Sequence, residues 1–267
     1  FGQMKNSSLI YRLTTTNYHN DKLNGTTISI ARLDLELKSG IPSYKISWLS
    51  KKEIKGTDTL VLDSIATTVN PYYISLHKKG NVLLPPLDIP AMVGEITDLN
   101  TFFLAISPKM NMDKLTQENP VYKNPEIAHG NFGDGREILK GNDCIEVTQY
   151  LAESSDKFLT VRTAFRPPSD FCLTPFLDTI KSQQFKSPNN FQMIRKAGDQ
   201  LVTLMWGNES FSVTNIIDKK NGHIELGHMT NILDLRMRIN ASPDLKTYLA
   251  EMPFKIYREL KLELISN

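Results

Sequence analysis

Three groups of side chains in this chain are of types that do chemistry. The tightest is His223-Ile224-Glu225-Leu226-Gly227-His228. On a strand, side chains alternate between faces, so His223 and Glu225 project together, and a bend at Gly227 would return His228 to them. Two imidazoles and a carboxylate suit zinc or iron(II). The spacing is not the helical His-Glu-x-x-His arrangement, and Gly222 and Gly227 argue against a helix, so the segment reads equally as the polar rim of a hairpin. No metal is assigned to it, and no cofactor is expected. The second group is the glycine-rich loop His129–Glu137, which holds His129, Asp134, Arg136 and Glu137. Such a loop presents acid and base groups to a cleft. With neither a strand before it nor a helix after it, it is no phosphate loop and no dinucleotide fingerprint. His129, Asp134 and His228 are therefore the catalytic candidates if the chain is a lyase, hydrolase or cyclase. The third group is Cys144 and Cys172, which have no Cys-x-x-Cys spacing. They form either one disulfide in an oxidising compartment or two buried thiols. No Gly-x-Ser-x-Gly elbow is present.

Large apolar side chains form the other feature. Trp48, Tyr72, Tyr73, Phe102, Phe103, Met205, Trp206 and Phe211 all fall in segments that read as strands. On the concave face of a curved sheet they would line a pocket for an apolar small molecule or acyl chain. Beneath packed helices the same residues would be core. The ligand-binding candidates are Trp48, Tyr73, Phe103, Trp206 and Phe211, joined by Arg166. That arginine precedes Pro167-Pro168 and is placed either to receive a carboxylate at a pocket mouth or simply to meet solvent.

The elements that must position these residues are strands. Apolar and polar residues alternate in Thr27–Ile30, Leu33–Leu37, Tyr44–Trp48, Tyr72–Leu76, Cys144–Tyr150, Phe158–Phe165, Leu233–Ile239 and from Phe254 to Leu264. Ser39-Gly40 reads as the turn of a hairpin. Gln200–Trp206 and Phe211–Val213 read as a pair joined at Gly207-Asn208. Thr101–Ile106 reads as a buried strand after the Pro-rich stretch Leu84–Pro90. Two short helices are predicted, one from the cap Ser242-Pro243-Asp244 to about Glu251 and one over 175–184. Periodicity fades over about 109–141, an irregular loop or lid. The fold class that follows is mainly β: one domain over 1–267, a large curved antiparallel sheet, half-barrel or barrel-like, with a few short helices. Parallel α/β folds fail for want of long alternating helices.

Composition narrows the function classes. Of 267 residues, 31 are Lys or Arg and 29 Asp or Glu, a net charge of +2, with 40% hydrophobic residues. That balance lacks the clustered basic charge of a nucleic-acid partner. No apolar run approaches the roughly 20 residues of a membrane-spanning helix. A chain opening at Phe1, without an apolar leader, reads alike as an exported protein after processing and as a trimmed chain; the expectation taken is export, periplasmic or secreted.

The succession of amphipathic hairpins, the Pro-rich middle and the closing strand Lys255-Ile256-Tyr257-Arg258-Glu259-Leu260-Lys261 resemble the lipoprotein-carrier superfamily of the LolA/LolB type. The resemblance is one of pattern across most of the chain, with no shared motif. It implies a curved half-barrel closed by short helices, with acyl chains or other apolar ligands in the concavity. It transfers no catalytic residue. The expectation is a monomeric, extracytoplasmic binding protein for an apolar small molecule or lipid, and the alternative is an enzyme on the same scaffold.

Overall fold

The alternating segments do form strands. A computed structural model describes residues 8–110, 112–124, 138–140, 146–167, 190–196, 201–243 and 246–266. In chain order the elements are β1 (Ser8–His19), β2 (Lys22–Lys38), β3 (Ile41–Lys55), β4 (Asp58–Val61), α1 (Asp63–Ala66), β5 (Tyr72–Ile74), α2 (Val93–Leu104), β6 (Val121–Asn124), β7 (Ile138–Lys140), β8 (Glu146–Ser154), β9 (Phe158–Arg166), β10 (Phe191–Lys196), β11 (Val202–Asp218), β12 (Ile224–Ala241) and β13 (Ala250–Ser266). All strands join one antiparallel sheet in the order β4-β3-β2-β1-β13-β12-β11-β9-β8-β6. β5 adds to β3, and β10 pairs with both β11 and β7. The ends β4 and β6 do not meet, so the sheet is open. Its centre is the pairing of the first strand with the last, Tyr11 opposite Leu264 through His19 opposite Ile256.

Local chemistry accounts for the hairpins. Ser39 and Gly40 turn β2 into β3 with φ of 50° and 76°, the double positive φ of a two-residue loop whose twist matches that of the strands. Along β12 the buried residues Gly227, Met229, Asn231, Leu233 and Leu235 alternate with the exposed His228, Thr230, Ile232, Asp234 and Arg236.

Four sequence expectations are corrected. Thr101–Ile106 is not a strand: residues 101–104 end α2, whose Ile96, Leu99, Phe102 and Phe103 recur at helical spacing and are all buried. Gly207-Asn208 is not a turn. β11 runs straight through it, because Gly207 (φ 151°) lies where a Cβ would overlap the Asp234 carbonyl and come within 2.9 Å of Leu235 Cα. No helix leads from Ser242 to Glu251: residues 246–249 are irregular and β13 already starts at Ala250, giving Ala250–Glu251 to the ladder with β12. There is no bend at Gly227, which sits in register between Asn215 and Leu262. The described part of 109–141 holds two single 3-10 turns and the short strands β6 and β7. Cys144, Cys172 and the helix expected over 175–184 lie outside the described residues.

Candidate functional site

The sheet wraps around the last turn of α2. Phe103 meets Tyr44 of β3 at 6.5 Å between ring centroids and Tyr11 of β1 edge-on at 5.8 Å. Two residues on, the Ala105 carbonyl accepts bonds from Thr163 Oγ1 of β9 (3.0 Å) and Gln149 Nε2 of β8 (3.3 Å). In a flat sheet β3 and β8, seven strand spacings apart, would lie about 34 Å from each other. Contact of both with one helical turn requires strong curvature, and the face holding α2 is the concave one.

The helix is seated by polar bonds as well as by packing. Two carbonyls at its C-terminal end, where helical N–H partners run out, go to the sheet: Phe102 O accepts from Asn215 Nδ2 at 2.9 Å, and Ala105 O is held as above, while Phe103 O and Leu104 O accept from the N–H groups of Ile106 and Ser107. Gly227 opposite leaves room for the Phe102 ring, which lies 2.6 Å from where a Cβ would be. At the other end Glu95 pairs with Lys51 Nζ at 2.9 Å, and that buried lysine also binds Glu53 at 3.2 Å and the Ala91 carbonyl. Burial raises the Glu95 pKa, against the lowering effect of Lys51. Asp98 pairs with Arg258 of β13. Arg258 Nε donates to Asn17 at 3.1 Å, and Asn231 Nδ2 donates to Glu209 Oε1 at 2.9 Å. Asn17, Arg258 and Asn231 are direct neighbours across β1, β13 and β12, so a polar knot crosses the middle of the concave face.

The knot separates two apolar regions. On one side is the core that includes α2, with Tyr11, Leu13, Trp48, Phe102, Phe103 and Phe165. On the other is a separate cluster of Phe191, Met205, Leu233 and Leu235, against which Met193, Met237, Phe254 and Ile256 pack half-buried. Cross-strand pairing continues this floor over β10, β11, β12 and β13: Phe191, Gly207, Leu235 and Phe254 form one row, and Met193, Met205, Met237 and Met252 the next. Above the knot, where β9 and β10 share one side of β11, Asn190 bridges the gap in the ladder. It accepts from the Glu209 N–H at 2.7 Å and donates to the Glu209 carbonyl at 2.9 Å.

The residues singled out in the sequence do not converge. Trp48 and Phe103 are buried in the α2 core. Phe211 borders that core, stacked on Phe165 at 4.4 Å. Trp206 points to the opposite face from Met205, under the guanidinium of Arg238 at 5.3 Å. Tyr73 sits on the outer face, its hydroxyl on Glu36 at 3.1 Å and the Lys38 ammonium over its ring. Arg166 is exposed at the end of β9, and His228 is exposed on the outer face of β12. His223 lies half-buried at the other end of the sheet beside Tyr44, and burial lowers its pKa. His129 and Asp134 lie outside the described residues. Among the described residues no three of His, Cys, Asp and Glu come together as metal ligands, and no helix is long and apolar enough to cross a membrane. The methionine and phenylalanine floor is not evident in the sequence because its members come from four strands; its signal there is the recurrence of Met and Phe at alternate positions in distant segments.

This geometry defines a class by architecture: an open, curved antiparallel sheet wrapped around one helix, with a second apolar floor beside it. No protein-family model matches the chain. No curated protein matches it either. Among solved structures, one described as showing lipid–protein interactions in lipovitellin superposes over 97% of this chain with a TM-score of 0.50 at 8% identity. The chain spans about a quarter (25%) of that protein's length, and at this identity the likeness is one of fold. A DUF1329 family protein from Desulfovibrio piger aligns over 99% of this chain and 88% of its own, at 10% identity and a TM-score of 0.17, too loose to bear on the argument.

Proposed function

We propose that this chain binds an apolar small molecule or acyl chain on the concave floor beyond the polar knot. One observation carries the reading: the concave face holds a second apolar cluster, separate from the core around α2, whose Met193, Met237, Phe254 and Ile256 are only half-buried. A concave apolar surface with a few polar groups at one side is the usual form of a small-molecule site. Methionines suit it because their flexible thioethers repack around chains of differing shape. The solved structure with the similar fold is described in terms of lipid–protein interactions, which supports the same ligand class. Phe211, at the border of the knot, remains a lining candidate, and export from the cytoplasm belongs to the same reading.

The test uses protein purified without detergent. Native mass spectrometry followed by organic extraction identifies a retained apolar species, and titration with dansyl-undecanoic acid measures binding. Phe254→Asp and Ile256→Asp each put a carboxylate on the floor. Each is expected to weaken probe binding at least about tenfold, equivalent to about 1.4 kcal/mol, with the circular dichroism unchanged. Unchanged affinity in both folded variants overturns the assignment of the floor.

A further inference from the structure

Four of the nine methionines in the chain stand in one cross-strand row. Met193 of β10 is directly opposite Met205 of β11, Met205 opposite Met237 of β12, and Met237 opposite Met252 of β13. Direct partners in an antiparallel ladder share a face with Cβ atoms about 4.5–5.5 Å apart. All four thioethers therefore leave the same side of the sheet, the concave side. Met205 is buried, and Met193 and Met237 pack in the same cluster with it from either flank.

Filling this space needs only volume. Leucine and isoleucine supply that volume with better-defined rotamers and are the ordinary choice for a core position. What a row of methionines adds is a line of neutral, polarizable sulfur donors. Each side chain has three rotatable bonds beyond the backbone. With strands about 4.8 Å apart, sulfurs from Met193 and Met237 can lean over the central Met205. Thioether donors select soft ions such as Cu(I) over Zn(II), Mg(II) or Ca(II). The charged groups of the knot keep their distance: Glu209 is four residues along β11 from Met205, about 13 Å.

We propose that this row is a binding site for a soft monovalent metal ion of the Cu(I)/Ag(I) class, with Met193, Met205 and Met237 as ligands and Met252 as the adjacent donor. The inference is independent of the acyl-chain reading, although both use the same floor.

The test titrates the full chain with Ag(I), which is redox-inert, and with Cu(I) under anaerobic conditions against a chromophoric Cu(I) chelator. Cys144 and Cys172 are first blocked with N-ethylmaleimide, since free thiols would also take up these ions. Native mass spectrometry is expected to show one ion per chain, with no uptake of Zn(II). The triple substitution Met193→Leu, Met205→Leu, Met237→Leu conserves volume and apolar character. It is expected to lower Ag(I) and Cu(I) affinity at least 100-fold with the circular dichroism unchanged. If the triple variant fails to fold, the single Met205→Leu, read by the same titration, is expected to cost at least tenfold. No uptake by the native chain, or equal uptake by the folded leucine variant, overturns the metal site and leaves the row as apolar floor. Loss of fatty-acid binding by the aspartate variants bears only on the acyl-chain reading.

Discussion

Replacing Gly227 by alanine tests whether the sheet is shaped around α2. The added Cβ would lie 2.6 and 2.7 Å from two ring carbons of Phe102 and 2.9 Å from Asn215 Oδ1. Ordinary contacts begin near 3.4 Å, so something has to move by nearly 1 Å. The ring cannot swing aside, because Phe102 is fully buried and its own carbonyl is bonded to Asn215 at 2.9 Å. Overpacking of this kind costs about 1–3 kcal/mol. Alanine's better backbone entropy in a strand returns about 0.5–1 kcal/mol of that. The net expectation is a loss of about 1–2 kcal/mol, read by urea unfolding followed by circular dichroism. The decisive measurement is the double-mutant cycle with Phe102→Ala. That variant alone costs about 3–5 kcal/mol, but in its background the ring contacts are gone and only the 2.9 Å approach to Asn215 Oδ1 remains, so Gly227→Ala should cost much less there, a coupling of about 1–2 kcal/mol. An equal cost of Gly227→Ala in both backgrounds would refute the argument that this glycine exists to seat the ring.

Other substitutions have distinct signs. Gly94, in the first turn of α2, is exposed with nothing within 4 Å of its missing Cβ, so Gly94→Ala is expected to stabilise by about 0.5–1 kcal/mol through helix propensity alone; a loss in urea unfolding would contradict this. Asn190→Ala removes both side-chain bonds to Glu209 at the fork in the ladder; a cost of about 2 kcal/mol is expected, with faster hydrogen exchange at the Glu209 amide as the local readout. Glu251 receives bonds from Arg236 (2.7 Å) and Arg238 (2.8 Å). Burial alone would raise its carboxyl, but the two arginines outweigh that and hold it below its ordinary value of 4.5. A depressed folded pKa gives stability that is present above pH 4.5 and fades as the pH falls through the folded value. Glu251→Gln should therefore destabilise at pH 7 and flatten the acid limb of stability against pH; parallel curves for the two proteins would remove the fork from the account.

Much of the sheet was legible in the sequence because its signal is local. The alternation of Leu233–Ile239, and of Phe254 through Leu264, needs only one wet and one dry face, and both segments are strands in register. The failures came where a short window carried two meanings. Phe102–Ile106 is apolar throughout and suits a buried strand, yet residues 101–104 belong to a helix whose pattern shows only when read back to Ile96. Gly207-Asn208 has the composition of a turn, but its glycine answers to a backbone passing close by on β12. Ser242-Pro243-Asp244 has the composition of a helix cap, and the ladder with β12 claimed the residues that would have followed.

The candidate site was less legible. Trp48, Phe103, Trp206, Phe211 and Tyr73 stand out by side-chain type, and type does not say which face a residue takes. A shift of one residue in register turns a strand over, and so Trp206 and Met205, neighbours in sequence, serve opposite sides of the sheet. By itself the sequence determined that the chain would be a large antiparallel sheet, because period-two amphipathicity is a property of consecutive residues. Only the tertiary structure decided that the sheet wraps around α2, that Arg258, Asn231, Asn17 and Glu209 meet across it, and that Met193, Met205, Met237 and Met252 line up. Each of these depends on pairing between segments far apart in the chain, whose register is set by the packing of the whole.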